Sequence, residues 1–298
     1  MAAPPVIFDR NLIRHRRDRA ARLGPSDFLL KEAASDLADR LVFIKRRFER
    51  GLVLGGYNGE LARRLAGHPS IGSLATVELS PRLIEACPPP RIRADEETMP
   101  LAPASLDLVV SALSLQLVND LPGTLLHVRE ALRPDGLFIA ALLGGRSLHE
   151  LRAAFIEAES ELRGGASPRV APFADVRDLG ALLQRAGFAL PVADSDTLTV
   201  AYETPLHLMR DLRAMGASNP LAERSRVPVT RTLVFRAADI YQRRFARADG
   251  KVLATFEIVA LTAWAPDVSQ QKPLAPGSAR TRLADALGTA EERLPRRT

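Results

Sequence analysis

Short apolar runs of strand length alternate with stretches whose apolar residues recur at helical spacing, and this alternation runs through the first half of the chain. Residues 26–50 carry Phe28, Leu29, Leu37, Leu41 and Ile44 at helical spacing among Arg and Asp, which predicts a helix. Residues 51–55 then read as a buried strand, 60–65 as a helix and 74–79 as a second strand. Ser80-Pro81 predicts a further helix start, with Ser as N-cap and Pro in the first turn. A short strand follows at 91–94, an apolar one at 106–112, a helix at 121–132 closed by Pro134-Asp135-Gly136, and the strand 137–143. Continuous apolar strands separated by helices predict an α/β fold, a doubly wound and mostly parallel sheet covered on both faces.

The second half has a different texture. Residues 147–163 and 176–186 read as helices, with a Gly/Pro-rich loop at 164–172. Residues 188–202 and 252–264 are β-rich and suit the edge of the same sheet. Between them, 205–247 reads as a helical insertion capping the sheet's ligand end. The expected organisation is an N-terminal helical arm (1–50), a main domain (51–265, core 51–143) and a disordered tail (266–298).

Composition narrows the function classes. Only one cysteine, Cys87, is present, which excludes a disulfide framework and any multi-Cys metal site. No run approaches the ~18 apolar residues of a membrane helix. The net charge of +6 suggests nucleic acid until it is located. Residues 1–25 hold six arginines against Asp9 and Asp18, and 266–298 carry a further +2, so the body between them is neutral. With three Tyr and one Trp for base stacking, nucleic-acid binding is disfavoured. The absence of an apolar N-terminal segment and the Arg-over-Lys bias suggest the cytoplasm of a bacterium. Peripheral contact of the basic arm with the inner face of a membrane is compatible with this.

Candidate chemistry lies at the strand ends. The first strand runs into Gly55-Gly56-Tyr57-Asn58-Gly59 and then a helix, a turn that brings a ligand close to backbone N–H donors. About twenty residues on, Glu78 ends the second strand beside Leu79, where an acid accepts hydrogen bonds from both ribose hydroxyls of an adenosine cofactor. Asp95-Glu96-Glu97 follows the third strand and offers a carboxylate to an adenine amino group. Neither GxxxxGK[ST] nor GxGxxG is present, which favours S-adenosylmethionine over a phosphate-bearing cofactor. The five histidines form no HxD or HExxH pattern, so no metal site is expected, and no catalytic residue is identified. Cys87, before three prolines, reads as a buried thiol at a helix end, and His149 as a surface residue.

The order LVLGGYNG, VELSP, ADEETMP, LDLVVSALSLQLVND and LRPDGLFIAAL resembles the class I S-adenosylmethionine-dependent methyltransferases. The segments IFDR, GGRSLHELR, AESELRGGASPRVAPF, DLGALLQRAGF and DLRAMGASN narrow it to the respiratory complex I assembly-factor family, whose mitochondrial members are described as arginine hydroxylases. The resemblance implies a Rossmann-like seven-stranded fold, S-adenosylmethionine as cofactor, and a peripheral-arm subunit of complex I as protein substrate. It implies that Gly55, Gly56 and Gly59 shape the loop around the methionine moiety, with Tyr57 among them. Glu78 would hold the ribose, Asp95 and Glu96 would lie beside the adenine, and Ser111 to Gln116 would face the sulfonium. Glu150, Glu157, Glu159 and Glu161 are candidates to receive a substrate guanidinium. The chain departs from the methyltransferase pattern at Val53, where an acid is usual, and at Tyr57, where a glycine is usual. Two other functions stay open: a methyltransferase for a small or carrier-bound acid, of the malonyl-carrier-protein type that LSLQLVND also resembles, and a non-catalytic scaffold with a decayed pocket.

Overall fold

The computed structural model describes residues 5–271, 278 and 281–290. Its larger unit, Met1–Pro266, is built on a seven-stranded sheet of order β3-β2-β1-β4-β5-β7-β6. The strands are β1 (Phe48–Leu54), β2 (Ile71–Glu78), β3 (Arg91–Arg93), β4 (Leu106–Ala112), β5 (Leu132–Leu143), β6 (Ala189–Tyr202) and β7 (Val252–Trp264). All neighbours are parallel except β7, which runs antiparallel between β5 and β6.

The helices are α1 (Arg10–Leu23), α2 (Phe28–Val42), α3 (Glu60–Leu65), α4 (Leu121–Ala131), α5 (His149–Arg163), α6 (Val176–Arg185), α7 (Pro205–Ala214) and α8 (Arg231–Phe245). The period of two along each strand sorts them into two layers. Leu108, Val110 and Ala112 of β4 and Leu137, Ile139 and Ala141 of β5 join one core with α2, α3, α5, α7 and α8. The intervening Val109, Phe138, Ala140 and Leu142 join the other, with α4 and α6. These are the two covered faces that the apolar strands require. Val53 is part of the first core and wholly buried, so an apolar residue suits its place in β1.

Four of the departures from the sequence expectation have an identifiable physical cause. The helix over 26–50 stops at Val42, and Phe48–Arg50 already belong to β1, because Phe48 pairs with Ile71 and is fully buried. Ser80-Pro81 starts no α-helix: Ser80 Oγ accepts from Leu83 N, but only a 3-10 turn, Ile84–Ala86, fits before Pro88-Pro89-Pro90 ends it. Pro134-Asp135-Gly136 does not precede β5 but bulges within it, the register passing from Leu106↔Leu132 to Leu108↔Leu137. The 205–247 segment is two helices with 215–230 non-helical between them.

Among the described residues no helix is long and apolar enough to cross a membrane. The second unit, Asp267–Thr298, holds α9 (Leu283–Leu287), a helical turn where a structureless tail was expected. The rest of that expectation, over 272–277, 279–280 and 291–298, lies outside the described residues.

Candidate functional site

The strand order reverses between β1 and β4, and in such sheets ligands bind in the crevice beyond the carboxyl ends of these strands. Here the glycine loop leaves β1 and the segment Leu113-Ser114 leaves β4. The loop is pinned from below, since Gly55 N and Gly56 N both donate to Val77 O, at 3.0 and 2.8 Å. Two residues on the crevice rim carry positive φ without being glycine, Tyr57 at 47° and Leu113 at 51°. Such strain concentrates where a fold over-determines a functional loop. Tyr57 is tied at both ends, its N–H donating to Glu78 Oε2 at 2.8 Å and its hydroxyl to Ala214 O at 3.3 Å.

Glu78 has no exposed surface. It accepts from Tyr57 N, from Ser80 N at 2.8 Å, and from Arg17 Nη1 at 2.9 and 3.2 Å. Arg17 comes from α1 and is 5% exposed. Its guanidinium also reaches Glu96 Oε1 at 3.4 Å and Ser114 Oγ at 3.2 Å. Arg10, two turns earlier on α1, bonds both oxygens of Asp95 at 2.6 and 3.1 Å, Glu96, and Leu117 O at 3.1 Å. Glu78, Asp95 and Glu96 therefore meet in one place, as the spacing predicts, but around two arginines of the basic N-terminal arm, which sequence reasoning did not place at the site. The available signal is positional: Arg17 stands four residues after Ile13 and three before Ala20, on the one buried face of α1.

Burial opposes ionisation of Glu96, but Arg10 and Arg17, with Ser114 Oγ donating at 2.5 Å, outweigh it and hold the carboxyl at about 2. A carboxyl depressed below its ordinary 4.5 stabilises the fold fully above that pH and loses the contribution as pH falls toward 2. Acid titration followed by circular dichroism is therefore expected to show roughly 3 kcal/mol lost across this window. Glu96→Gln should flatten the profile there.

Two cavities meet at the crevice. The smaller, about 90 Å³, is lined by Arg17, Gly55, Tyr57, Ser114 and Gln116 among others. The larger, about 570 Å³, extends between α5, α7 and the 215–229 loop, with Leu143, Leu148, Met209, Met215 and Phe256 on its walls. Four arginines (16, 169, 224 and 226) line it, and no carboxylate does. Gln116 lines both cavities. Its Nε2 donates to Leu113 O at 2.8 Å, and its buried Oε1 has no hydrogen-bond partner.

The remaining candidates are placed elsewhere. The three loop glycines are demanded by packing: a Cβ at Gly56 would stand 2.2 Å from Thr76 Cγ2, and one at Gly59 2.8 Å from Cys87 Cα. Ser111 is buried in β4 with its hydroxyl donating to Leu54 O at 2.7 Å, and it lines neither cavity. Leu79 packs with Phe8, Ile13 and Leu221, under α1. The four glutamates proposed for a guanidinium already have partners within the protein. Glu150 accepts from Thr255, Glu157 pairs with Arg244, Glu159 with Arg169, and Glu161 with Arg236. Cys87 is buried, and burial pushes its thiol up to about 11. His149 is half exposed beside Arg146 O. Among the described residues no group of three His, Cys, Asp or Glu is placed to hold a metal ion.

The sequence profile of the methyltransferase domain family matches residues 52–140, which covers β1 to β5. The mitochondrial arginine-hydroxylase NDUFAF5 of Danio rerio is 37% identical over 286 residues, 94% of this chain and 89% of that protein. The chain belongs to the NDUFAF5 family. The malonyl-[acyl-carrier protein] O-methyltransferase of Gallionella capsiferriformans is 34% identical over 277 residues, 87% of this chain and 92% of its own. Among solved structures, one from Bacillus halodurans, described as a methyltransferase, superposes with a TM-score of 0.56 at 15% identity, covering 78% of this chain and all of its own. That likeness shows the Rossmann-like class I methyltransferase fold. In this NDUFAF5-family member the shared core supplies the crevice, and α1, α2, α5 and α7 build its walls.

Proposed function

We propose that the protein is a methyltransferase-fold arginine hydroxylase that binds S-adenosylmethionine and modifies an arginine of a respiratory complex I subunit as that complex assembles. The observation that carries this reading is the extent of the likeness to NDUFAF5, which runs far beyond residues 52–140 into the elements that wall the larger cavity. The Arg-over-Lys bias of its composition supports a bacterial cytoplasm as its compartment, with peripheral contact of the protein at the inner face of the membrane.

The residue types at the crevice fit an adenosyl cofactor. Glu78 ends β2 with both oxygens turned to hydrogen-bond donors, as a ribose diol requires, and the loop from Gly55 presents a tight backbone edge. Bound S-adenosylmethionine supplies a sulfonium, an electron-poor centre. Glu78 would hold its ribose, Ser114 and Gln116 would border it, and Asp95 and Glu96 would lie at the adenine end. The larger cavity admits a side chain from a partner protein. Its apolar walls suit the aliphatic stem of an arginine, and Gln116 Oε1 is a buried acceptor awaiting an N–H donor.

The test is peptide mass spectrometry of the peripheral-arm subunits from cells with and without the gene. The expected result is one arginine that carries an added oxygen atom only when the gene is present. Unchanged masses with complex I still assembled would sink the reading.

One observation favours a second function. Of the four arginines that line the larger cavity, Arg169 and Arg224 are paired with Glu159 and Asp9, while Arg16 and Arg226 bond only backbone carbonyls among the described residues; these two suit an anionic acyl substrate, in agreement with the likeness to the malonyl-carrier-protein methyltransferase. Release of S-adenosylhomocysteine on mixing the protein with S-adenosylmethionine and malonyl-carrier protein, with the malonyl carboxylate converted to its methyl ester, would establish it.

A further inference from the structure

The carboxylates that suit an adenosyl cofactor are already engaged. Both oxygens of Glu78 accept from Arg17, and Glu96 is shared between Arg17 and Arg10. Ser114 Oγ, on the far wall, also accepts from Arg17. With this guanidinium in place the crevice keeps about 90 Å³, well below the ~300–1,000 Å³ usual for small-molecule sites. The occupant belongs to the chain itself and enters from the N-terminal side.

Arg17 cannot leave by losing its proton. Burial disfavours its charge, but Glu78 and Glu96 more than restore it, and its pKa is raised above the ordinary arginine value. It must leave as a cation, and α1, which carries it, is the element whose withdrawal would clear the crevice. The attachments of α1 are polar and peripheral as well as apolar: Ser80 Oγ donates to Asp18 at 2.6 Å, Arg224 pairs with Asp9 at 3.2 Å, and Arg16 bonds the carbonyls of Ser218 and Asn219. Ser218, Asn219 and Arg224 also line the larger cavity, so α1 joins the two cavities mechanically.

We propose that Arg17 is a built-in competitor for the cofactor and the residue that sets its affinity. The crevice holds either the Arg17 guanidinium or the ribose of S-adenosylmethionine, and the cofactor enters when α1 withdraws. This rests on the reading of S-adenosylmethionine as the ligand of this crevice. A binding-competent state populated at one to ten per cent weakens the apparent affinity by its reciprocal, so removing the competitor should tighten binding roughly ten- to a hundredfold.

The experiment is isothermal titration of the full-length chain with S-adenosylhomocysteine, on the natural protein and on Arg17→Ala, with circular dichroism to show that each is folded. Tighter binding by tenfold or more in Arg17→Ala, abolished again in Arg17→Ala/Glu78→Gln, is the expected result. Equal, measurable affinity in the two proteins would overturn the competition and leave the cofactor assignment standing. No binding by either folded protein would overturn the cofactor assignment itself. Should Arg17→Ala not fold, hydrogen exchange on the natural protein decides. Saturating S-adenosylhomocysteine should raise exchange at the amides of 10–23, and unchanged protection of α1 in a saturated sample would overturn the proposal.

Discussion

Glu78→Ala is expected to destabilise the protein by about 3–5 kcal/mol, the loss typical when one partner of a buried ion pair is removed. The reason lies in what remains. Arg17 would be left 5% exposed with only Glu96, at 3.4 Å, in salt-bridge range. The backbone N–H groups of Tyr57 and Ser80 would lose their acceptor at the same time. Urea denaturation measures the effect. Arg17→Ala/Glu78→Ala should be less destabilised than the sum of the single variants, because the second substitution removes the stranded charge. A Glu78→Ala protein within 1 kcal/mol of the natural one would mean that the carboxylate and guanidinium are not paired in solution.

Gly55→Ala is expected to cost roughly 2–5 kcal/mol, from left-handed backbone strain together with overpacking. Gly55 has φ +76°, and its added Cβ would stand 2.2 Å from both Cβ and Oγ of Ser114. Since Ser114 is itself bonded to Glu96 and Arg17, the clash would propagate into the charge cluster. Gly250→Ala isolates the strain: its φ is +83° with nothing within 4 Å of the added atom, so only about 1–2 kcal/mol should be lost. Thermal unfolding of the two variants side by side separates the contributions. Equal losses would show that Ser114 yields to the new methyl group without resistance.

Much of the sheet is legible because its strands must be apolar on both faces. The expected start of α3 at Glu60 and both expected limits of β4, Leu106–Ala112, coincide with the observed ones, and the apolar run of β4 begins and ends abruptly. Where pairing across the sheet decides, the chain alone misleads: Phe48–Arg50 reads as a helix end until its parallel partner at Ile71 is known. Ser80-Pro81 misleads differently, since a correct helix start is followed too soon by three prolines.

The crevice is legible in its acids and illegible in their partners. Glu78 and Glu96 follow strands at a spacing that carries meaning, and both prove buried. Arg17 looks like one of six arginines on a solvated helix. Only its register with Ile13 and Ala20 separates it from the others, and which carboxylates it meets depends on contacts more than sixty residues away.

The position of β7 bears on how the protein is made. A ribosome synthesises β6 some fifty residues before β7, yet β6 has no partner in the sheet until β7 slots between it and β5. Through that interval a fourteen-residue strand stands unladdered, and β5 presents a bare antiparallel edge along Leu137–Leu143. Completion of the sheet is therefore a late event in the order of synthesis. A nascent chain cut short before Trp264 would emerge as a sticky intermediate and a natural client for chaperones.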